Sequence, residues 1–343
     1  MANSTTYVLG AGASRHAGYP FAKSMGDELF AWMKQHEWSG CFNFRQTAEF
    51  LQETFANAND IEVLLTTIDK AIRERPEAGA EARSLASRLA NDDKPALVQA
   101  IREWFTEIRE RHEDESYELL AKEIIRPDDC VITFNYDVSL DRQLMLAGVW
   151  EIGDGYGFPI EGLPTGTSVK LLKLHGSANW LAGIFAGMGL GSFAVGSGGA
   201  FGERPLIPDS ELRFLGYEHS IDPRFPRGGA TAIPPMILPS GCKQFYFETS
   251  FGREGESFWD SLWNEAEEAL QRSDRVAICG YGLLPVDERA CRLLLEGQLS
   301  ASVEVCCGDD TARVVQKLRD CGRNARSAEH VLFQDWVASV VAK

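Results

Sequence analysis

The amino-acid sequence predicts an α/β protein: a Rossmann-like, doubly wound parallel sheet with a helical insertion after the first strand. From residue 275 onward, short apolar runs alternate with amphipathic helical segments, a pattern typical of parallel strands that helices cover on both faces. The first apolar run, residues 5–9, ends in glycines, as a strand does before a sharp turn. About 120 residues of mainly helical period separate it from the second run, and one crossover helix needs far fewer.

Each strand is predicted from a short run of β-branched or other apolar residues. The runs are residues 5–9, 130–134, 169–174, 275–279, 303–307 and 330–333. The helices are predicted from apolar residues at helical spacing, such as Ile101, Phe105 and Ile108. They cover residues 22–35, 61–73, 94–111, 114–125, 138–146, 257–271, 285–299, 311–321 and 335–341.

We expect a single α/β domain over residues 1–343, with the helical insertion at about 25–125. A second irregular region, about 176–250, is rich in glycine and proline, and loops of this length are usually functional or disordered. Within it, residues 183–202 are uncharged and contain 8 glycines. This composition is too weakly apolar for a membrane span. The tract is a candidate lid, with a disordered loop as the alternative, and the helical insertion is a candidate assembly surface, with simple core helices as the alternative.

The charge balance and the cysteines restrict the class of protein. Asp and Glu number 50 against 34 Lys and Arg, so the formal net charge is -16. This argues against broad, direct binding of nucleic acid, which needs a cationic surface. We expect no signal peptide, because no basic segment followed by an apolar one opens the chain. The eight cysteines include no Cys-x-x-Cys pair, which favours reduced thiols and a cytoplasmic protein.

The first candidate site is the glycine turn after the first strand, with the sequence GAGAS at residues 10–14. Glycines at this place let the backbone approach a ligand, and the start of a following helix favours phosphate. Arg15 stands where the dinucleotide fingerprint has its third glycine, so the full motif is not met. A tight turn without a ligand is the alternative.

The second and third candidates also follow predicted strands. Asn135 and Asp137, in the segment TFNYD, can orient a sugar or an amide, or else turn the chain and cap the next helix. His175, in LHGS, is a candidate general base near neutral pH, with a packed structural histidine as the alternative. The carboxyl ends of parallel strands share one crevice, so we expect these groups to converge.

Two further strand ends complete the set of candidates. The segment CGYGLLP at residues 279–285 again ends a strand in glycines before a helix. Asp309 follows the next strand, where an acid can bind a ribose diol or simply cap the helix that follows.

Taken in this order, GAGAS, TFNYD and LHGS resemble the motifs of the sirtuins, the silent-information-regulator-two family of NAD-dependent proteins. The GYGLLP segment occupies the place of the sirtuin Gly-Thr-Ser turn. The resemblance covers about residues 1–20, 130–180 and 274–310. The NYD form and the GYGL segment are more similar to the sirtuin-like domains of bacterial anti-phage defence systems than to protein deacetylases.

Two departures from the deacetylating sirtuins matter. Those enzymes hold a structural zinc with two Cys-x-x-Cys pairs after the histidine, whereas Cys242 is the only cysteine between His175 and Ser273. Because such a site needs four clustered ligands, we expect no zinc and no other metal. The IPDFR segment of the family is also missing, since residues 18–22 read GYPFA. Both departures count against lysine deacylation.

The resemblance implies a role for each candidate residue. Asn135 would position the ribose or the water, His175 would act on the ribose hydroxyls or as general base, and Asp137 would hold the nicotinamide carboxamide. The remaining contacts to NAD would come from the residues of the glycine turns and strand ends: Gly10, Ala11, Gly12, Ser14, Thr133, Gly280, Tyr281, Gly282 and Asp309.

The function that the resemblance implies is an NAD hydrolase (an NADase) that releases nicotinamide and ADP-ribose and so depletes the cofactor in infected bacteria. Family members are controlled by homo-oligomerisation or by a separate partner such as a HerA-type ATPase or a short Argonaute. A non-catalytic NAD or ADP-ribose sensor is the first alternative. A protein deacylase or ADP-ribosyltransferase is a weaker one, because the zinc cysteines are missing.

Overall fold

The computed structural model of the chain describes most of the residues outside the glycine- and proline-rich region. The described residues are 4–39, 42–74, 79–151, 154–157, 166–167, 169–181, 207–208, 236–243, 252–297 and 300–343. They belong to two compact units. The sheet unit comprises Met1–Tyr19, Ile108–Ser177 and Trp259–Lys343, and the helical unit comprises Pro20–Glu107 and Ala178–Phe258. The candidate lid, residues 183–202, lies outside the described residues.

The strands, in chain order, have the following bounds. They are β1 Thr5–Leu9, β2 Trp38–Ser39, β3 Phe42–Asn43, β4 Cys130–Thr133, β5 Lys170–Lys173, β6 Trp180–Leu181, β7 Ile207–Pro208, β8 Arg275–Cys279, β9 Ser302–Cys306 and β10 Ala325–Ser327. The short pairs β2–β3 and β6–β7 are antiparallel and belong to the helical unit.

The sheet unit is built on six parallel strands in the order β10-β9-β8-β1-β4-β5. Numbered by their succession along the chain and read from the other edge, these strands run 3-2-1-4-5-6, which is the Rossmann order. The direction of winding reverses between β1 and β8, and such sheets bind their ligands at the carboxyl ends of the strands at this reversal. The predicted α/β class is confirmed.

The helices complete the two units. They are α1 Ala22–Gln35, α2 Phe44–Thr54, α3 Ile61–Arg73, α4 Ala80–Arg88, α5 Lys94–Arg111, α6 Glu115–Leu119, α7 Ser139–Leu146, α8 Gly252–Arg272, α9 Glu288–Leu295, α10 Thr311–Asp320 and α11 Phe333–Val341. Helices α1 to α4 lie in the helical unit, and α6, α7 and α9 to α11 lie in the sheet unit. Among the described helices, none has the length and hydropathy needed to cross a membrane.

The core of the sheet unit consists of the strands themselves. Their central apolar side chains are fully buried: Val8, Leu9, Val131, Ile132, Leu171, Leu172, Ile278 and Val305. Strands that are buried on both faces read as continuous apolar runs, which is why the sequence pattern located them. Truncating one such leucine to alanine costs about 2–5 kcal/mol in comparable cores.

The sixth strand is the one that the sequence pattern misplaced. Residues 330–333 were expected to form it, whereas β10 is Ala325–Ser327 and Phe333 begins α11. Strand β10 lies at the edge of the sheet, and its Arg326 and Ser327 are exposed, so it has no apolar run to detect. The apolar residues after it form the buried face of α11 instead, through Phe333, Trp336 and Val337.

The helical insertion is divided between the two units. Residues 20–107 belong to the helical unit, while 108–125 belong to the sheet unit. Helices α1, α3 and α5 have the predicted bounds, and α2 and α4 were not predicted. Helix α6 covers only the first part of the predicted segment 114–125, and a short π-helical segment, Leu120–Ile124, follows it.

Candidate functional site

Apart from Asp309, which follows β9, the candidate residues lie at the carboxyl ends of four neighbouring strands of the sheet unit. Leu9 pairs with Thr133 of β4 on one side and with Cys279 of β8 on the other. Thr133 in turn pairs with Lys173 of β5. In this register the four strands end at the same level, so the segments that follow them all begin at the carboxyl edge of the sheet. The convergence expected from the sequence is confirmed for the segments that carry Gly10, Asn135, His175 and Gly280.

The glycine turns after β1 and β8 pack directly against each other. A Cβ atom at Gly10 would lie 2.6 Å from the carbonyl oxygen of Gly280, and one at Gly12 would lie 2.7 Å from the Cα of Gly280. Gly280 has a φ of +67°, and a Cβ there would lie 2.1 Å from the nitrogen of Ala13. Real Cβ atoms do not approach other atoms so closely, so these three positions require glycine whether or not a ligand binds.

The packing of the two glycine turns also occupies two backbone N–H groups that could otherwise donate to a phosphate. Gly10 donates to the carbonyl of Cys279 at 2.9 Å, and Gly12 donates to that of Gly280 at 3.0 Å. The turn continues as a 3-10 helix, Ala11–Ala17, whose Ala11 is exposed to solvent. A ligand would therefore meet this turn on the side of Ala11.

Ser14 is the centre of a buried hydrogen-bond network. Its hydroxyl donates to Oδ2 of Asp137 at 2.7 Å and accepts from Nδ2 of Asn135 at 2.8 Å. The hydroxyl of Tyr117, on α6, lies 2.7 Å from the same oxygen. Because the only proton of Ser14 goes to the carboxylate, Tyr117 is the donor in this third bond.

This network fixes the orientation of Asn135. Besides its bond to Ser14, Nδ2 donates to the carbonyl of Gly10 at 3.0 Å. Both amide protons are thus donated within the protein. The carbonyl oxygen Oδ1 is consequently the atom that Asn135 can offer to a ribose hydroxyl or to a water molecule.

Asp137 is buried, with 4% of its surface exposed, and both of its oxygens accept hydrogen bonds from the protein. Oδ2 accepts from Ser14, and Oδ1 accepts from the backbone N–H of Ser139 at the start of α7. The bond to Ser139 agrees with the alternative interpretation of Asp137, in which it caps the helix that follows. Burial raises the pKa of Asp137, and the positive charge of Lys173 opposes this shift. Its contact with nicotinamide stays a prediction.

A buried lysine at the end of β5 holds the backbone of Asp137 in place. Lys173, the last residue of β5, is fully buried and donates to the backbone carbonyl of Asp137. Its ammonium group also lies 3.1 Å from Oδ2 of Asp141 on α7. The hydroxyl of Tyr156 donates to Oδ1 of the same carboxylate at 2.9 Å. The charge of Lys173 is therefore compensated inside the sheet unit.

His175 faces a carboxylate that was not among the predicted site residues. Its Nε2 lies 3.2 Å from Oδ2 of Asp287, which precedes α9. The two residues are 3% and 4% exposed. The ring of Phe134 lies 5.0 Å from the imidazole and stacks on Tyr281 at 4.2 Å. Burial and then the charge of Asp287 raise the pKa of Tyr281 well above its usual value.

The remaining predicted residues hold the loops or line the edge. Thr133 is buried, and its hydroxyl accepts from the N–H of Asn135 at 3.1 Å. The carbonyl of Gly282 accepts from Arg313 of α10 at 2.8 Å, which anchors the GYGLLP segment. Asp309 is exposed in the turn that follows β9, where contact with a ribose stays a prediction.

Sequence reasoning did not select Tyr117, Asp287, Lys173 or Asp141. Tyr117 lies in the predicted insertion, far along the chain from Ser14, and no motif marked it. Asp287 was visible only as an acid in the first turn before a predicted helix. A signal did exist for Lys173, because a lysine within a run of strand leucines is unusual in a buried parallel strand.

Metal ligands are not clustered in the part of the chain that the structure describes: no group of three or more His, Cys, Asp or Glu side chains there is arranged to hold an ion. Seven cysteines lie in this part, and each is a free thiol. The expected absence of zinc remains a prediction for the whole chain.

Comparison with known proteins gives distant similarities. No protein-family model matches the sequence. A curated protein of Nostoc sp. (strain PCC 7120 / SAG 25.82 / UTEX 2576), named type III pantothenate kinase, is 26% identical over 166 residues. The match covers 47% of this chain and 52% of that protein, so the chain spans about half the length of this curated relative.

Solved structures that align with the chain include three Sir2 proteins. A Sir2 homologue in complex with NAD is 12% identical, with a TM-score of 0.46 over 99% of this chain and 90% of that one. A Sir2 enzyme studied for its mechanism and regulation is 14% identical, with a TM-score of 0.42 over 99% and 92%. Sir2Tm bound to a propionylated peptide is 13% identical, with a TM-score of 0.38 over 99% and 92%.

Proposed function

We propose that this chain is an NAD glycohydrolase, which uses water to cleave the bond between nicotinamide and ribose. One observation carries the proposal: an asparagine with a fixed amide follows β4 and a histidine beside a carboxylate follows β5, at the same carboxyl edge of a Rossmann-type sheet as the winding reversal. Phe134, whose ring lies 5.0 Å from His175, directly precedes Asn135. The resemblance of GAGAS, TFNYD and LHGS to sirtuin motifs supports NAD as the substrate.

The reaction needs little acid catalysis. The leaving group is already a cationic pyridinium, so it departs as neutral nicotinamide without being protonated, and positive charge develops at C1′ of the ribose as in other glycosyl transfers. What the protein must supply is orientation of the ribose, an acceptor water and a base for its proton. Oδ1 of Asn135 orients the ribose or the water, and His175 is the base.

The other residues bind the rest of the dinucleotide. The exposed side of the Gly10–Ser14 turn, with Gly280, Tyr281 and Gly282, contacts the pyrophosphate, and Asp309 contacts the adenosine ribose. Asp137 holds the nicotinamide carboxamide when a ligand displaces part of its present hydrogen bonding. Through Ser14 it also holds Asn135 in place.

We extend the proposal to biology on the resemblance, together with the net charge and the cysteine pattern. The chain depletes NAD in bacterial cells under phage attack and acts in the cytoplasm, without binding membrane or nucleic acid directly. Homo-oligomerisation or a separate partner, such as a HerA-type ATPase or a short Argonaute, controls it.

The direct test is to incubate the purified chain with NAD and to follow nicotinamide and ADP-ribose by chromatography. Asn135→Ala and His175→Ala should each abolish product formation while the melting temperature stays near that of the parent. Asn57→Ala, at an exposed position of the helical unit, is the matched control and should cleave NAD normally. Full turnover in both site variants would refute the assignment of the site.

If the isolated chain makes no product, NAD protection against thermal unfolding separates the remaining explanations. Protection that Asn135→Ala weakens would favour the sensor alternative or an enzyme that awaits its partner. Absence of protection would contradict NAD as the ligand.

A further inference from the structure

The GYGLLP segment, residues 280–285, contains a leucine in a backbone conformation that favours glycine. Leu283 has a φ of +49°, in the left-handed region that residues with a side chain rarely adopt. Its side chain is fully buried. Such conformations persist where the surrounding structure fixes them, and they are common at ligand-binding sites. The groups that bond to the backbone on either side of Leu283 are therefore the ones that can hold it.

Helix α10 supplies two of these groups. The ammonium group of Lys317 donates to the carbonyl of Leu283 at 3.0 Å, and the guanidinium of Arg313 donates to the carbonyl of Gly282 at 2.8 Å. In an extended strand, successive carbonyls point to opposite sides. Both carbonyls can bond to the same helix because the backbone turns at Leu283.

The other carbonyls of residues 281–284 also accept hydrogen bonds, whereas the N–H groups of these residues donate none. The carbonyl of Tyr281 accepts from Sγ of Cys307 at 3.4 Å, and that of Leu284 accepts from the N–H of Asp287 at 3.0 Å. In the part of the chain that the structure describes, no protein group accepts from the four N–H groups. The segment thus has its acceptors occupied and its donors available, which suits an anionic ligand.

We propose that Lys317 is a positioning residue for the GYGLLP segment. By holding the carbonyl of Leu283, it fixes the conformation that leaves the N–H groups of residues 281–284 for the dinucleotide. This inference rests on the proposed function, in which the segment contacts the pyrophosphate. A cationic donor suits the role, because its charge strengthens the hydrogen bond to a carbonyl. Arg313 acts beside it, and Arg313 also pairs with Asp310 at 2.9 Å.

The test compares Lys317→Met with the parent, and Lys317→Arg is the conservative variant. Arg319→Met is the matched control, because Arg319 lies on the same helix and donates to a backbone carbonyl at 2.8 Å, that of Ala325 in β10. Each methionine variant therefore loses one positive charge and one hydrogen bond from α10 to a backbone carbonyl. The two variants differ in the segment that loses this bond.

The first readout is hydrogen–deuterium exchange, measured by mass spectrometry in a peptide that contains residues 280–287. The N–H groups of Gly280 and Asp287, at the two ends of the segment, do donate to backbone carbonyls. We expect them to exchange about tenfold faster in Lys317→Met, because the segment opens more often without its anchor. Lys317→Arg and Arg319→Met should match the parent in this peptide.

The second readout separates KM from kcat in NAD cleavage. We expect Lys317→Met to raise the KM for NAD about tenfold with kcat within about threefold, because binding contacts are lost while Asn135 and His175, which follow other strands, stay in place. Calorimetric titration with ADP-ribose, which has the same pyrophosphate and is not cleaved, should show an equal loss of affinity. Lys317→Arg should recover most of it, and Arg319→Met should match the parent.

The outcomes separate this inference from the proposed function. Unchanged exchange or an unchanged KM in Lys317→Met would overturn the positioning role, and so would equal effects in Arg319→Met. A parent chain that neither cleaves nor binds NAD would instead contradict the proposed function, and the exchange experiment would still decide whether Lys317 holds the segment. If Lys317→Met does not fold, Arg313→Met removes the neighbouring bond to Gly282 and carries the same comparison.

Discussion

The hydroxyl of Tyr117 lies 2.7 Å from the hydroxyl of Ser14, although 103 residues separate the two in the chain. Helix α6 thus contributes a hydrogen-bond donor to the glycine turn at the candidate site. The last part of the expected helical insertion is therefore a component of the sheet unit and of its polar network.

Tyr117→Phe should weaken NAD cleavage about tenfold and lower the free energy of unfolding by about 1–2 kcal/mol. The change removes the donor to Ser14 and leaves the network that orients Asn135 incomplete. Steady-state kinetics and urea unfolding measure the two effects. Tyr156→Phe removes a buried hydroxyl from Asp141 and is the matched control: a similar loss of stability with normal cleavage is expected.

Gly280→Ala should reduce the free energy of unfolding by about 3 kcal/mol or more. The new Cβ meets the backbone of Ala13 at 2.1 Å, in addition to the cost of a positive φ. Gly148→Ala is the control, because Gly148 has a φ of +70° but nothing within 4 Å of a Cβ. That variant should lose only about 1–2 kcal/mol. If urea unfolding shows that the two variants lose the same free energy of unfolding, the close packing of the two glycine turns does not contribute to stability.

Lys173→Met should destabilise the chain by about 3–5 kcal/mol, because the carboxylate of Asp141 would stay buried without its cation. The double variant Lys173→Met/Asp141→Asn removes both charges and should recover part of this loss. Thermal and urea unfolding of the parent, the two single variants and the double variant give the coupling energy. Strict additivity of the single effects would contradict the ion pair.

Asp93→Asn should change the pH dependence of stability. Burial raises the pKa of Asp93 from 3.8 to about 6, and the charge of Arg88 opposes this shift. A raised carboxyl pKa means that the folded chain binds the proton more tightly than the unfolded chain. The parent should thus lose up to about 3 kcal/mol relative to the variant as the pH rises from 4 to 7. Urea unfolding across this range tests the sign, and a constant difference between the two proteins would refute it.

The sequence predicted what depends on local pattern. Strands β1 and β8 and helices α1, α3 and α5 have the predicted bounds, because a buried strand or an amphipathic helix leaves its period in the sequence. The edge strand β10 has no such period, because only Ala325 of its three residues is buried while Arg326 and Ser327 are exposed. Its position follows from pairing with β9, which is a tertiary property.

For the candidate site, motifs located the strand ends but not the contacts between them. The sequence pattern predicts that Gly10 and Gly12 leave room for a ligand, and the structure adds that they leave room for Gly280. The partners of Ser14 and His175 come from Tyr117 and Asp287, which no local spacing connects to them. Such pairs are fixed by the topology of the sheet, and a single sequence carries no direct signal of it.

The pairing of β1 with β8 also sets when the site can exist during synthesis. The backbone N–H of Ser4 donates to Oδ2 of Asp274, 270 residues later, and the two glycine turns lie just beyond these strands. A ribosome that adds about 5–20 residues per second makes this later segment on the order of 10–50 s after the first one. Until then the nascent chain lacks Gly280 and Asp287. A growing polypeptide that ends before Gly280 and Asp287 therefore lacks part of the proposed site, and the proposed activity begins only after this segment has emerged.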